Sequence, residues 1–233
     1  MDKVETFEIG RHRVAIAAHE EVGPPTPYTL LLAENVPDLA GLTVVDIGTG
    51  SGMLGIVACL QGAVRVYVVD TNPAAISAAM DNAERNGVRE RFHHLPVRDD
   101  TIIPFPSGET VDVVISNPAQ LPLPKPEKAN SPYYAGSDGR DMIEEIIRDT
   151  PARLSPSGRL LMVHNSVTDF PKSLALMKSV GLEPRVLAER SLELRPLFDR
   201  NWLDHLGGTS RGLYTVRDGR AYETIHAMEA RLQ

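Results

Sequence analysis

Between Leu42 and Gly181 the apolar residues follow two alternating patterns. The runs TVVDIG, VRVYVVD, RFHHLPV, VDVVIS and GRLLMVHN are rich in β-branched residues and keep no strict polar alternation. That pattern marks strands covered on both faces. Between them lie segments with helical spacing: MLGIVACLQG, PAAISAAMDNAERNG, GRDMIEEIIRDTPARLSP and FPKSLALMKSVG. In the third, Met142, Ile143, Ile146 and Ile147 share one face, and Pro151 and Pro156 end it. Gly62, Gly87 and Gly181 stop the other three, and Thr71 or Asn72 caps the second ahead of Pro73. Strand and helix in alternation require right-handed crossovers, hence a parallel, doubly wound sheet.

The flanks read differently. FEIGRHRVAIAA alternates around Gly10-Arg11 and predicts a small hairpin, and YTLLLAENV predicts a short helix starting near Thr26 or Pro27. The tail GLYTVRDGRAYETIHAMEARL holds two strand-like runs around Asp218-Gly219, a tight-turn pair. The expectation is one α/β, Rossmann-like domain over 1–233, with a mostly parallel seven-stranded sheet and an antiparallel last strand. Residues 1–40 would form a hairpin-and-helix cover on a catalytic core at 41–233.

Composition narrows the function. With 42% apolar and 24% charged residues the chain suits a soluble globular domain. Its single cysteine, Cys59, falls in a helical apolar pattern and reads as a buried hydrophobe in a reducing compartment. Neither a leader-like segment nor a membrane-length apolar run is found, so a cytoplasmic protein with no membrane partner is expected. A net charge of −7 argues against a broad nucleic-acid surface. No metal-ligand spacing occurs, and no metal is expected; His93 and His94 read as strand or surface residues.

The candidate chemistry begins at VVDIGTGSGMLG. Read from Gly50 it spells G-x-G-x-x-G, and Asp70 lies 18 residues past Gly52, as in nicotinamide-dependent oxidoreductases. Asp46, two residues before Gly48, opposes that reading. A carboxylate beside a pyrophosphate is repulsive by about 1 kcal/mol or more in a partly buried site. It suits a ligand carrying an ammonium group.

DIGTGSG resembles the D-x-G-x-G-x-G motif of class I S-adenosylmethionine (SAM) dependent methyltransferases. The resemblance implies a cofactor site at Gly48, Thr49, Gly50 and Gly52, where residues without bulk let backbone approach the ligand. It places Asp46 at the amino-acid end of SAM and Asp70, followed by Thr71 and Asn72, at the ribose, where an acceptor-only carboxylate takes both hydroxyls. Asp99, or its neighbour Asp100, would contact the adenine.

After the fourth core strand the chain reads Ser116-Asn117-Pro118-Ala119-Gln120. This resembles the N-P-P-Y signature of methyltransferases acting on planar nitrogens. An amide nitrogen is a poor nucleophile, and carbonyl acceptors on Asn117 and the following backbone would aim its lone pair at the methyl carbon. Catalysis then comes from positioning and fixed dipoles. The resemblance makes Asn117 catalytic and cofactor-contacting and puts Pro118, Ala119 and Gln120 against the acceptor. Ala119 and Gln120 stand where the signature has a second proline and an aromatic ring; Tyr28, Tyr133 or Tyr134 could supply that ring.

PTPYTLLLAE, YYAGSDGRDMIEEIIRDTPARLSPSGRLLMV and FPKSLALMKSVGL narrow the resemblance to the HemK-like glutamine-N5 methyltransferases, short members without the N-terminal helical domain, over about residues 20–185. The P-x-x-x-T of that group matches Pro25 and Thr29, which adds Thr29 to the cofactor site. The implied function is an enzyme that moves the SAM methyl to a nitrogen, or another nucleophile, of a small metabolite or a protein glutamine, leaving S-adenosylhomocysteine (SAH). The alternatives are an RNA or nucleobase N-methyltransferase, the nicotinamide oxidoreductase, and a SAM-binding protein without turnover. LPLPKPEKANSPYYAG could close over the pocket, and His164, ending the fifth strand, is a further candidate pocket residue. Phe198, Trp202 and His205 recur at helical spacing and suit a covering helix.

Overall fold

The computed structural model describes residues 3–97, 104, 109–122, 135–194 and 213–233. β1 (Val4–Ile9) and β2 (His12–Ala17) form the expected antiparallel hairpin. α1 (Pro27–Ala33) follows, closed at its start by a capping box in which Thr26 and Thr29 each accept from the other's backbone N–H. The core then alternates: β3 (Thr43–Ile47), α2 (Met53–Leu60), β4 (Arg65–Val69), α3 (Pro73–Arg85), β5 (Phe92–His94), β6 (Val111–Ser116), α4 (Asp141–Asp149), β7 (Leu154–Asn165), α5 (Phe170–Ser179). β8 (Leu182–Glu193), β9 (Thr215–Arg217) and β10 (Arg220–Leu232) complete it.

The strands lie in the order β5-β4-β3-β6-β7-β10-β8, and β9 pairs with β10 as an eighth. The first five run parallel, and β10 runs antiparallel to both β7 and β8. Seven strands side by side with a reversed C-terminal strand is the expected sheet, but one strand arrives by a different route. The tail run before Asp218 gives only three residues of β9, and the seventh place goes to β8, which the apolar pattern does not announce. β8 is an edge strand with Pro184 near its start and charged residues along its exposed positions. An edge needs neither a continuous apolar run nor a full set of N–H donors.

The sheet separates two apolar layers. The hairpin, α1, α2 and α3 bury Ile9, Val14, Leu32, Ile56, Ala83, Val44, Val66 and Ile115 on one face. α4 and α5 bury Ile143, Ile146, Ile147, Met177, Val45, Val114 and Leu160 on the other. Asn82 of α3 and Asn86, which caps the end of that helix, dock the hairpin: their side-chain oxygens accept from Ala17 N (2.8 Å) and Ala15 N (2.9 Å). Asn82 also donates to Ser51 O (3.0 Å), so one buried amide joins the hairpin to the glycine turn.

From β3 the chain winds outward to β4 and β5, then returns to place β6 on the other side of β3. This reversal opens a crevice beyond the carboxyl ends of β3 and β6, where ligands of open α/β sheets bind. Ser116 Oγ at the end of β6 donates to Ile47 O at the end of β3 (2.9 Å) and fixes the two rims together.

Candidate active site

The rim at β3 is built by short-range contacts. Asp46, 1% exposed, points toward the α2 face, where Oδ2 accepts from Thr49 Oγ1 (2.8 Å) and Gly55 N (3.1 Å). Its Oδ1 is buried with no partner. Burial pushes its carboxyl up to about 7, the Thr49 and Gly55 hydrogen bonds pull it back, and the Asp70 charge adds a smaller upward push. A donor-rich cation at Oδ1 would satisfy the orphan oxygen and restore the ionised form, so Asp46 fits an ammonium-bearing ligand and not a pyrophosphate.

The glycine turn takes left-handed conformations at Gly48, Gly50 and Gly52, with φ of 68°, 53° and 82°. At Gly52 a Cβ would stand 2.9 Å from the Ala79 Cα, so the turn also needs glycine there for α3 to pack. Gly48 N and Thr49 N both donate to Val69 O (2.8 and 3.0 Å), which draws the turn over the end of β4. There Asp70 accepts from Gly50 N at Oδ2 (3.0 Å) and from Asn72 N at Oδ1 (2.9 Å). Each oxygen keeps a further lone-pair direction for a ligand hydroxyl. Asn72 is the cap of α3, accepting from Ala74 N (2.9 Å), and Thr71 is exposed beside it.

The rim at β6 is built by long-range contacts. Asn117 leaves the strand and donates from Nδ2 to Thr29 Oγ1 (3.0 Å). Thr29 therefore has two duties, since the same oxygen accepts from Thr26 N in the cap of α1 (3.3 Å). Pro118 is buried, Ala119 is half-buried, and Gln120, 5% exposed, turns inward. Gln120 Nε2 approaches Asn117 Oδ1 (3.4 Å), Pro118 O (3.3 Å) and Val163 O (3.2 Å), while its Oε1 accepts from Asn165 N (2.8 Å). Gln120 thus straps the Asn-Pro loop to the end of β7 instead of presenting a flat face. Its carboxamide lies against the two carbonyls expected to hold an acceptor amide, through bonds at the long end of the useful range.

Tyr28 donates from its hydroxyl to Glu223 Oε1 at 2.5 Å. Burial raises the Tyr28 hydroxyl well above the ordinary phenol range, and the Glu223 charge raises it further. Tyr28 is held by the fold, packed against the α1-side core. Glu223 carries no local motif, and sequence reasoning missed it.

Asp99, Tyr133 and the alternatives Asp100 and Tyr134 lie outside the described residues, as do most of LPLPKPEKANSPYYAG and the segment holding Phe198, Trp202 and His205. His164 is wholly buried, its Nδ1 at 2.6 Å from Asn165 O and its Nε2 at 2.8 Å from Ser173 Oγ. Burial lowers it to about 3, so it stays neutral and serves the core between β7 and α5. His93 and His94 are exposed on β5, as expected. Among the described residues no group of three metal-ligating side chains occurs, and no helix is long and apolar enough to cross a membrane.

Known proteins match this arrangement. The ribosomal protein L11 methyltransferase (PrmA) family matches residues 24–121, the stretch from before α1 to just past the Asn-Pro loop. A candidate protein N5-glutamine methyltransferase of Methanocaldococcus jannaschii is 27% identical over 188 residues, 79% of this chain and 92% of that protein. A release factor glutamine methyltransferase of Gloeobacter violaceus is 38% identical over 153 residues, 59% of this chain but 52% of the relative, so the chain spans about half of it. Among solved structures, the E. cuniculi Mtq2–Trm112 complex, responsible for methylating the eRF1 termination factor, superposes with a TM-score of 0.58 at 18% identity, covering 91% of this chain and 99% of that one; this likeness shows the fold. Sheet order, glycine turn and relatives agree in supporting a HemK-like, class I SAM-dependent methyltransferase.

Proposed function

We propose that the chain transfers the methyl group of SAM to an acceptor nitrogen held at the Asn117 loop, with SAH as product, and that residues 1–233 work as one domain in which 1–40 covers the cofactor rim. The observation that carries this reading is the pairing of rims across the β3–β6 switch: an orphan buried oxygen of Asp46 on one side, Asn117 pinned by Thr29 on the other. SAM supplies an electrophilic methyl on a sulfonium. Asp46 would hold its ammonium, the Gly48–Gly52 turn with Thr49 its amino-acid end, and Asp70, Thr71 and Asn72 its ribose. Thr29 orients the Asn117 carboxamide so that Oδ1 faces away from α1. Asn117 Oδ1 and Pro118 O then hold the acceptor and exclude other orientations.

Two acceptors remain in view. The N5-glutamine relatives favour a protein glutamine. Gln120, lying against Asn117 Oδ1 and Pro118 O, favours a small-molecule nitrogen that does not need both carbonyls. Incubating the protein and labelled SAM with a cell extract, then separating protein, RNA and small molecules, tests the proposal. Label in the protein or small-molecule fraction is the expected result; no transfer, or calorimetric binding of NADH in place of SAH, overturns it.

A further inference from the structure

Glu223 is charged, 6% exposed and isolated in sequence from every motif. It precedes by two residues Ile225, which pairs with Asn165, the last residue of β7. It therefore stands just past the carboxyl end of β7, at the same edge of the sheet as the Asn-Pro loop. Two chains of contacts connect it to Asn117. One runs through Tyr28 to its neighbour Thr29, the Asn117 partner. The other runs through Asn165, which contacts the Tyr28 hydroxyl and anchors Gln120. Tyr28 donates to Oε1 and fixes the carboxyl group in place, while Oε2 is buried with no partner. A buried carboxylate oxygen left unsatisfied is costly unless a ligand or a proton meets it.

We propose that Glu223 Oε2 is the proton-accepting group of the methyl-acceptor pocket, taking the hydrogen of an N–H acceptor while Tyr28 holds the carboxylate in place. This rests on the methyl-transfer reading above. As the new C–N bond forms, the C–S bond breaks and its electron pair stays on sulfur. The methylated nitrogen is then one proton too rich, and that proton passes to Oε2 and afterwards to water. A nitrogen held only by carbonyls has no group to receive this proton; Glu223 supplies one.

Burial raises the Glu223 carboxyl to about 7, against the lowering effect of the Tyr28 hydrogen bond, so it can be ionised to receive a proton and still release it near neutral pH. Among the described residues the groups facing it are the Tyr28 hydroxyl from α1, the Asn165 carboxamide at the end of β7, and uncharged Leu192 opposite it on β8.

The test compares the unaltered protein with Glu223→Gln and Tyr28→Phe, using labelled SAM and the extract fraction that accepts label. Turnover of the unaltered protein should rise with pH through about 7 and then level. Glu223→Gln should lose roughly a hundredfold or more in turnover, the range for a lost proton acceptor, and lose the acidic limb of the profile. Its SAH affinity by calorimetry should stay within about twofold, since the cofactor rim is separate. Tyr28→Phe should move the limb to higher pH, because it removes the hydrogen bond that lowers the Glu223 carboxyl. Without any cofactor, Glu223→Gln should also flatten part of the fall in thermal stability as pH rises from about 4.5 to about 7. Transfer that continues in Glu223→Gln with an unchanged pH profile overturns this inference alone, as does joint loss of turnover and SAH binding. No transfer by the unaltered protein overturns the methyl-transfer reading and this one with it.

Discussion

The two rims of the crevice hold polar groups of similar kind by different means. At the β3 rim the bonds close over short stretches: Thr49 to Asp46 spans three residues, Gly55 to Asp46 nine, Gly50 to Asp70 twenty. At the β6 rim Asn165 reaches Gln120 across 45 residues, Asn117 reaches Thr29 across 88, and Tyr28 reaches Glu223 across 195. The first rim is closed mostly by bonds within the stretch from β3 to the start of α3. The second exists only once α1, β7 and β10 have come together. The PrmA family match, residues 24–121, takes in the first rim and the Asn-Pro loop and ends short of β7 and β10, which the second rim also needs.

The largest effect should separate the rims outright. Asn117→Ala removes the carbonyl proposed to aim the acceptor but leaves the glycine turn intact. Turnover with labelled SAM should fall by about 10²–10³, the range for losing one preorganised polar group, while SAH affinity stays within about tenfold. Turnover that survives would mean that the β6 rim does not hold the acceptor.

Asp46→Asn should act on the opposite rim. The orphan oxygen loses its charge, and SAH should bind roughly tenfold to a hundredfold more weakly, about 1.5–3 kcal/mol for a charge-assisted contact. The pH dependence follows from the raised carboxyl. Asp46 contributes stability that is present below its unfolded value near 3.8 and is lost as pH rises through about 7. Asp46→Asn should remove that slope from thermal melts of the cofactor-free protein. An unchanged slope would place the ionisation elsewhere.

What the sequence revealed follows the same division. DIGTGSG and VYVVD are contiguous, and their spacing alone locates Asp46, the glycines and Asp70 around the ends of β3 and β4. The alternation of apolar runs gives the parallel core because buried strands leave a continuous signature. β8 leaves none, since an edge strand alternates charges with half-buried residues. Asn117 was legible as the last polar residue after a buried run, but not its bond to Thr29. Glu223 was hidden because an isolated glutamate in a strand-like run gives no sign of burial; the one available signal was its place in the otherwise apolar-alternating stretch before Ile225. Gln120 was legible as a departure from the N-P-P-Y signature, yet its inward turn depends on Asn165 and Val163, some 40 residues on.

Gln120→Ala should therefore cost stability more than cofactor binding. It leaves Asn165 N and Val163 O buried without their partner, which costs about 1–3 kcal/mol and should lower the melting temperature by several degrees. It also frees Asn117 Oδ1 and Pro118 O. If the strap excludes carboxamides, labelling of a glutamine-containing peptide should rise relative to the natural acceptor fraction; an unchanged ratio would leave Gln120 a purely structural strap.

The smallest effect probes whether the rims are as separate as their bonds suggest. Asn82 ties the hairpin to the glycine turn through Ala17 N and Ser51 O. Asn82→Ala leaves one donor and one acceptor short of a partner, and the change should cost about 1–2 kcal/mol. Amide exchange at Ala17 should accelerate first, because the hairpin is a two-stranded sheet held to the core by few polar bonds. If the hairpin only covers the turn, SAH affinity should fall by no more than about threefold and the pH profile of turnover should not move. A larger loss of affinity would show that the β3 rim is not purely local, since a side chain on α3 would then be setting the shape of the glycine turn from thirty-one residues away.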